Sequence, residues 1–389
     1  MSVTAPLGFV AAGVHAGIRK EKADLAVLRS TAPAVGSAMF TTNRLQAAPV
    51  AVSKAHLAVA EPQAVVINSG VANAATGLRG ELDAVATAAE AGRLLGLDAE
   101  QVLVLSTGVI GALLPLEKVT AGLAQAVPAL SADGGAGAAE AIMTTDTLPK
   151  TATVARDGFV VGGMAKGAGM IHPALATMLA VVTTDYPLCG SGEADAFLRP
   201  AVEESFNRIS IDGECSTNDA VVLIANGASG CARNDASFAA ALREVCADLS
   251  AQIVADGEGA TVLLEIEVAG AATAADASAI ARRIATSPLV KTAAFGRDAN
   301  WGRVLAAAGS APSNGGPDGG FAQLDQRLLS LSFNGTSVFA GGAPTAHEPS
   351  LEGAVCRIEL DLGLGAGAAS YLSSDLSYDY VRINAEYRS

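Results

Sequence analysis

Between Asp235 and Val268 the chain changes its hydrophobic period, which excludes both an all-helical and an all-β fold. Phe238, Leu242, Val245, Leu249 and Ile253 recur at steps of three and four, the spacing of one helix face. Val262, Leu264, Ile266 and Val268 then alternate with polar or charged neighbours such as Glu265 and Glu267, the period of a half-exposed strand. Leu329 to Phe333 and Ile358 to Leu362 alternate in the same way, so an antiparallel sheet with one wetter face is expected in the C-terminal half. In the N-terminal half, Val65 to Ile67 and Val102 to Leu105 are apolar throughout, as strands covered on both faces are. A helix is predicted from about Glu81 to Leu95. The Gly- and Ala-rich stretches 132–141, 268–279 and 311–320 read as loops, with Ser313 to Gly320 the clearest surface loop.

With 389 residues, of which 50% are hydrophobic, the chain can bury two or three ordinary domains, and disorder is excluded as its main character. Only 4% of residues are aromatic, and 25 Lys plus Arg face 39 Asp plus Glu, for a net charge of -14. That charge has the wrong sign for a phosphate backbone, so no nucleic-acid partner is expected. No basic segment leads into a long apolar run near Met1, and no stretch approaches the roughly eighteen apolar residues of a membrane span. The expectation is a soluble, cytoplasmic protein. Cys189, Cys215, Cys231, Cys246 and Cys356 are scattered without a CxxC pair, which favours reduced thiols over a disulfide framework or a zinc site. His15, His56 and His347 lack ligand spacing, so no metal is expected.

Four segments place hydroxyl, amide and glycine residues at apparent strand ends: Asn68-Ser69-Gly70, Ser106-Thr107-Gly108, Thr144-Thr145-Asp146-Thr147 and Ser216-Thr217-Asn218-Asp219. Such residues serve ordinary turns. They can also present the hydroxyls and free N–H groups of an oxyanion hole. In Ala165 to Leu179, a single Lys166 stands among glycines and apolar residues, where desolvation lowers a lysine pKa and a bound carboxylate offsets the shift. Thr177 opens the apolar run Met178 to Val182, and a lone threonine there is ordinarily just a β-former. Cleavage before it would change that, because an N-terminal threonine carries a nucleophilic hydroxyl and its own amine as base. His172, beside Pro173, reads as structural; Trp301 reads as packed under a loop; Glu265 and Glu267 read as a solvated face. No GxSxG elbow, Walker A or GxGxxG pattern is present.

The run KGAGMIHPALATMLAVVTTD, from Lys166 to Asp185, resembles the signature of the ornithine acetyltransferase (ArgJ) family. So do FTTNRLQAAPV at Phe40, VVINSGVANAATG at Val65, LSTGVIG at Leu105, IMTTDTLPK at Ile142, FNRISIDGECSTNDAVVLIANG at Phe206, DGEGAT at Asp256, SPLVKTAAFGRDANWGRVLAA at Ser287 and YVRINAEYRS at Tyr380, in family order along essentially the whole chain. The resemblance implies an α/β fold, a layered sandwich of sheets and helices with a smaller C-terminal α/β portion. It implies self-cleavage between Ala176 and Thr177, giving an alpha chain of residues 1–176 and a beta chain of residues 177–389 in an (αβ)2 or larger assembly. Thr177 would be the nucleophile that forms an acetyl ester, with the Thr107 hydroxyl and the Gly108 N–H as the oxyanion hole. Thr144 or Thr145, Lys166, Glu258, Asn384 and Ser389 match substrate-site positions. Val71 and Ala75 replace residues usual in relatives, so no role is carried over to those two side chains.

The implied activity is acetyl transfer from N2-acetyl-L-ornithine to L-glutamate in arginine biosynthesis, without a cofactor, acetyl-CoA entering only as an alternative donor. One lysine for a carboxylate and one carboxylate for an ammonium suit two amino-acid substrates. Competing readings are a self-processing N-terminal-nucleophile peptidase or amidase, a paralogue with the same chemistry in specialised metabolism, and a non-enzymatic binding protein on the same scaffold.

Overall fold

The uniformly apolar runs at Val65 and Val102 pair side by side, parallel and buried, at the centre of one of two units into which the chain divides. The computed structural model describes residues 2–172, 178–313 and 320–386. One unit takes the chain up to Asn207 together with Glu214–Ile253, and the other takes Arg208–Gly213 and the residues from Val254 onward.

In chain order the elements are β1 (Phe9–Val14), β2 (Leu25–Ser30), β3 (Val35–Phe40), α1 (Ala48–Leu57), β4 (Ala64–Val71), α2 (Gly77–Leu95), β5 (Val102–Val109), α3 (Leu116–Ala126) and α4 (Gly135–Ala141). There follow β6 (Lys150–Arg156), β7 (Phe159–Lys166), β8 (Leu179–Thr184), α5 (Ser191–Glu203), the short β9 (Ile209–Ser210), β10 (Ala220–Ala225) and α6 (Asp235–Ala255). Apart from β9, these build the first unit, a helix–sheet–sheet–helix sandwich. Its four-stranded sheet runs β1-β2-β4-β5 and its five-stranded sheet β3-β10-β8-β7-β6. One face of the first sheet buries Val27, Val66 and Val104 under Ala88 of α2 and Leu123 of α3. Its other face shares a core with the second sheet, where Leu28, Ile67 and Leu105 meet Val181 and Val222. On the far side, Val245 and Leu249 of α6 come within van der Waals reach of Gly163 in β7. Phe159, Tyr186 and Phe238 stack there edge-on or face-on.

The stretch 132–141 is not a loop: α4 occupies most of it and packs on β1. Glycine disfavours helix, but here it permits an approach no other residue allows. A Cβ on Gly13 would lie 2.0 Å from the Gly137 carbonyl oxygen, and one on Gly134 would lie 1.7 Å from that of Ala11.

The second unit adds β11 (Leu263–Ala271), α7 (Ala274–Ala285), α8 (Pro288–Phe295), α9 (Trp301–Gly309), β12 (Ser330–Phe333), β13 (Thr336–Ala340), β14 (Ala343–Pro344), β15 (Val355–Asp361), β16 (Gly367–Ser374) and α10 (Tyr378–Glu386). Its sheet order is β14-β13-β12-β15-β11-β16-β9. The expected antiparallel sheet is in fact mixed, since β11 pairs parallel with β15, and β16 with β9. Alternation reports which face is wet and not which way the neighbouring strand runs. The wet face is as expected: Leu264, Ile266 and Val268 pack on Ile280 and Ile284 of α7, while Glu265 on the opposite face pairs with Arg357. The stretch 268–279 likewise is not a loop but holds the end of β11 and the start of α7, whose N-cap Thr273 accepts the Asp276 N–H at 3.0 Å. Trp301 packs on Phe339, centroids 5.4 Å apart. Among the described residues no helix is long and apolar enough to cross a membrane, and no cluster of metal-ligating side chains occurs. All five cysteines are free.

Candidate active site

The β4 and β5 ladder continues past its apolar run to Ser69 opposite Thr107 and Gly70 opposite Gly108. Asn68-Ser69-Gly70 and Ser106-Thr107-Gly108 therefore lie inside the paired ends of two strands, which run on to Val71 and Val109, and are not the expected turns. Their side chains carry the pairing: the Ser106 hydroxyl donates to Asn68 Oδ1 at 2.6 Å, and Asn68 Nδ2 donates to the Val71 carbonyl at 2.8 Å. Gly108 has φ +128°, and a Cβ there would stand 2.3 Å from the Gly70 carbonyl carbon. Only glycine fits that approach.

Lys166 ends β7, and its Nζ donates to the Thr107 hydroxyl oxygen at 3.1 Å. Because that oxygen accepts from a lysine, the hydroxyl proton stays available to donate. Beside this pair lies Asp146, fully buried. Its Oδ1 accepts from Lys150 Nζ at 2.6 Å and from the Gly167 N–H at 2.6 Å. Its Oδ2 accepts the Thr144 N–H at 2.9 Å, with the Thr144 hydroxyl at 3.5 Å. Burial alone would raise the Asp146 carboxyl, but the Lys166 and Lys150 charges and these hydrogen bonds hold it well below the usual carboxylate range. Arg19 closes the edge, donating to the Met143 and Thr144 carbonyls at 2.7 and 3.3 Å.

A fourth strand end, the start of β8, meets the same place. Met178, directly before β8, gives its N–H to Asp219 Oδ1 at 2.9 Å and accepts the Ala220 N–H at 3.2 Å. Asn218 Nδ2 donates to the Ala72 and Ser106 carbonyls at 2.6 and 2.9 Å. Burial pushes the Asp219 carboxyl well above its ordinary value, only partly countered by the Met178 N–H and the Lys166 charge.

The structure thus brings Thr107, Gly108, Thr144 and Lys166 together in the first unit, with Thr107 and Lys166 buried and Gly108 and Thr144 half-buried. Glu258 and Asn384 meet in the second, where Asn384 Nδ2 donates to Glu258 Oε2 at 2.8 Å. Ala176, Thr177 and Ser389 lie outside the described residues. Asp146, Asn218, Asp219 and Arg19 are the residues that sequence reasoning did not assign to the site. Three of them stand in segments already marked for turn chemistry, but nothing in a turn motif says that its carboxylate will be buried against two lysines. A separate cavity of about 580 Å³ in the first unit, lined by β3, Lys54, Leu57 and Arg199, contains none of the candidate residues.

A sequence model of the ArgJ family matches residues 10–389. The arginine biosynthesis bifunctional protein ArgJ of Symbiobacterium thermophilum is 45% identical over all of this chain and 98% of that protein. The protein of the same name from Mycolicibacterium paratuberculosis is 47% identical, over all of this chain and 96% of its own. The solved ornithine acetyltransferase of Mycobacterium tuberculosis, complexed with ornithine, is 44% identical over 45% of this chain and 96% of that one, with a TM-score of 0.44.

Proposed function

The chain belongs to the ArgJ family, and we propose that it is a glutamate N-acetyltransferase that moves acetyl from N2-acetyl-L-ornithine to L-glutamate through an ester on Thr177. The observation that carries this reading is the contact of Lys166 with the Thr107 hydroxyl beside Gly108. It supports the reading because a lysine beside a hydroxyl and a glycine N–H on strand ends would supply a carboxylate-binding cation and two oxyanion donors.

The Thr177 hydroxyl first attacks the Ala176 carbonyl. The peptide C–N bond breaks as a C–O ester forms, and water hydrolyses the ester to leave an Ala176 carboxylate and a free Thr177 amine. That amine takes the hydroxyl proton while Thr177 oxygen attacks the acetyl carbonyl of acetylornithine. Charge grows on the acetyl oxygen, where the Thr107 O–H and the Gly108 N–H receive it; losing one such donor costs about 3 kcal/mol in the barrier. Collapse breaks the amide C–N bond and gives the proton to ornithine, which leaves; the glutamate amine then attacks the acetyl ester, its proton passes through the Thr177 amine to the Thr177 oxygen as the ester C–O bond breaks, and N-acetyl-L-glutamate is released. Lys166 would take the shared α-carboxylate and Glu258 the ornithine side-chain ammonium, with Thr144, Asn384 and Ser389 completing the site. The cycle uses no cofactor. Acetyl-CoA would be a second donor to the same ester, a possibility that the relatives' bifunctional name makes worth assaying. The alpha and beta chains would form the (αβ)2 or larger assembly.

A denaturing gel with intact masses, and ornithine release from acetylornithine with and without glutamate, test this reading. Two fragments meeting at Ala176/Thr177 and glutamate-dependent release are expected, with Thr177→Ala uncut and inactive. Release independent of glutamate would replace the transferase by an amidase, and an uncut but active wild type would refute the amine base.

A further inference from the structure

The segment Ser216 to Ala220 ties together two strand ends that belong to different sheets. Asn218 and Asp219 are both buried. The Thr217 hydroxyl donates to Asn218 Oδ1 at 2.6 Å, and the Asn218 N–H goes to Ser216 Oγ at 3.1 Å. With Oδ1 taken as an acceptor, the amide can only turn its NH2 toward the Ala72 and Ser106 carbonyls. The Ser106 carbonyl belongs to the peptide plane that leads into Thr107, so this bond orients the start of the oxyanion segment. The next residue, Asp219, takes the Met178 N–H, which belongs to the peptide plane that follows position 177 in the chain. Ala220 adds the reciprocal bond to the Met178 carbonyl.

An ordinary turn does not account for Asp219. Among the described residues its Oδ2 is buried without a hydrogen-bond partner, a burden of about 1–3 kcal/mol that a serine holding the same N–H would avoid. Groups kept at such a cost cluster where geometry is functional.

We propose that Asn218 and Asp219 are positioning residues, a clip of two adjacent side chains that fixes the Thr107–Gly108 donors relative to the chain entering Met178. The proposal rests on the cleavage and transfer chemistry above. In that chemistry the attacking oxygen and the oxyanion donors come from segments far apart in the chain, and a misplacement of about 1 Å costs on the order of 100-fold in rate.

The test uses the full chain with Asp219→Ala, Asp219→Asn, Asn218→Ala and Asn218→Asp, reading the half-time of chain cleavage, kcat and KM for ornithine release, and Tm. Asp219→Ala and Asn218→Ala should slow cleavage and lower kcat by about 10- to 100-fold, with KM changed less than about threefold. Asp219→Asn, whose amide oxygen still accepts the Met178 N–H, should restore both rates to within about threefold, whereas Asn218→Asp, which loses the donor, should not. Wild-type cleavage and kcat in both alanine variants would overturn the clip, as would an Asp219→Asn variant as slow as Asp219→Ala at unchanged Tm. If Asp219→Ala fails to fold, Asn218→Ala decides alone, and wild-type rates there overturn the proposal. A wild type that transfers acetyl without being cut sinks the cleavage reading while leaving the kcat comparison intact, so the two failures are told apart.

Discussion

The two units treat buried lysines in opposite ways. In the first, Lys150 and Lys166 are buried around Asp146, with Lys150 in direct ion pair at 2.6 Å. In the second, Lys291 of α8 is equally buried but donates to the Ser373 hydroxyl at 3.0 Å and to the Ser374 carbonyl. Burial lowers Lys291 to about 8, and the charges of Asp375 and Asp212 only partly resist. A carboxylate in hydrogen-bond contact offsets the cost of burying an ammonium charge more than neutral acceptors do. The first arrangement makes a fixed ionic centre around which a site can be built. The second makes a group that releases its proton in mildly alkaline solution.

The strongest way to break this comparison is Asp146→Asn. Removing one partner of a buried pair leaves uncompensated charge, so the variant should lose about 3–5 kcal/mol of unfolding free energy and should neither cleave nor transfer acetyl. The folded-state pKa of Asp146 is depressed, so its contribution is complete above the unfolded value of about 4 and is lost as pH falls through the folded value. The gap between wild type and variant in urea unfolding should therefore narrow below about pH 4. A variant within about 1 kcal/mol of wild type at pH 7 would show that the first unit does not depend on its ionic centre.

Lys291→Met sharpens the other side. The folded pKa of about 8 lies below the unfolded 10.5, so the native state sheds its proton first and wild-type stability rises with pH between those values. The variant lacks that rise. Its stability relative to wild type should fall by roughly 2–3 kcal/mol between pH 7 and pH 10.5, read from parallel denaturant titrations at each pH. A difference independent of pH would mean that Lys291 keeps its proton across that range.

How far the sequence carries such distinctions depends on the kind of fact. The helix face from Phe238 to Ile253 and the alternation from Val262 to Val268 are local and survive in α6 and β11. The Gly-rich α4 was not legible, because its glycines are chosen for the Gly13 and Ala11 backbone they touch, and those contacts are distant in the chain. Strand direction in the second unit was illegible for a similar reason: β11 and β15 are parallel partners separated by three helices and several strands. For the candidate site, strand-end composition marked Thr107 and Gly108, and an apolar, glycine-flanked setting marked Lys166, while family resemblance added Glu258 and Asn384. Asp146 and Asp219 escaped because their burial, opposite pKa shifts and partners are tertiary facts, while in sequence both are merely turn aspartates.

The smallest expected effect separates the units by what a site residue does besides bind. Lys166 is buried and bonded to Thr107, so changing it disturbs structure and chemistry together. Asn384 is exposed on α10 and its side chain reaches Glu258 and the Tyr380 carbonyl. Asn384→Ala should thus change unfolding free energy by less than about 0.5 kcal/mol, and the loss of its proposed hydrogen bond to substrate, about 0.5–1.5 kcal/mol, should raise KM for acetylornithine roughly two- to tenfold. If Asn384 only binds substrate, kcat stays within about twofold, because an interaction equal in ground and transition states moves KM alone. A fall in kcat matching the fall in kcat/KM would place Asn384 with Thr107, among groups whose contacts form only as the oxyanion does.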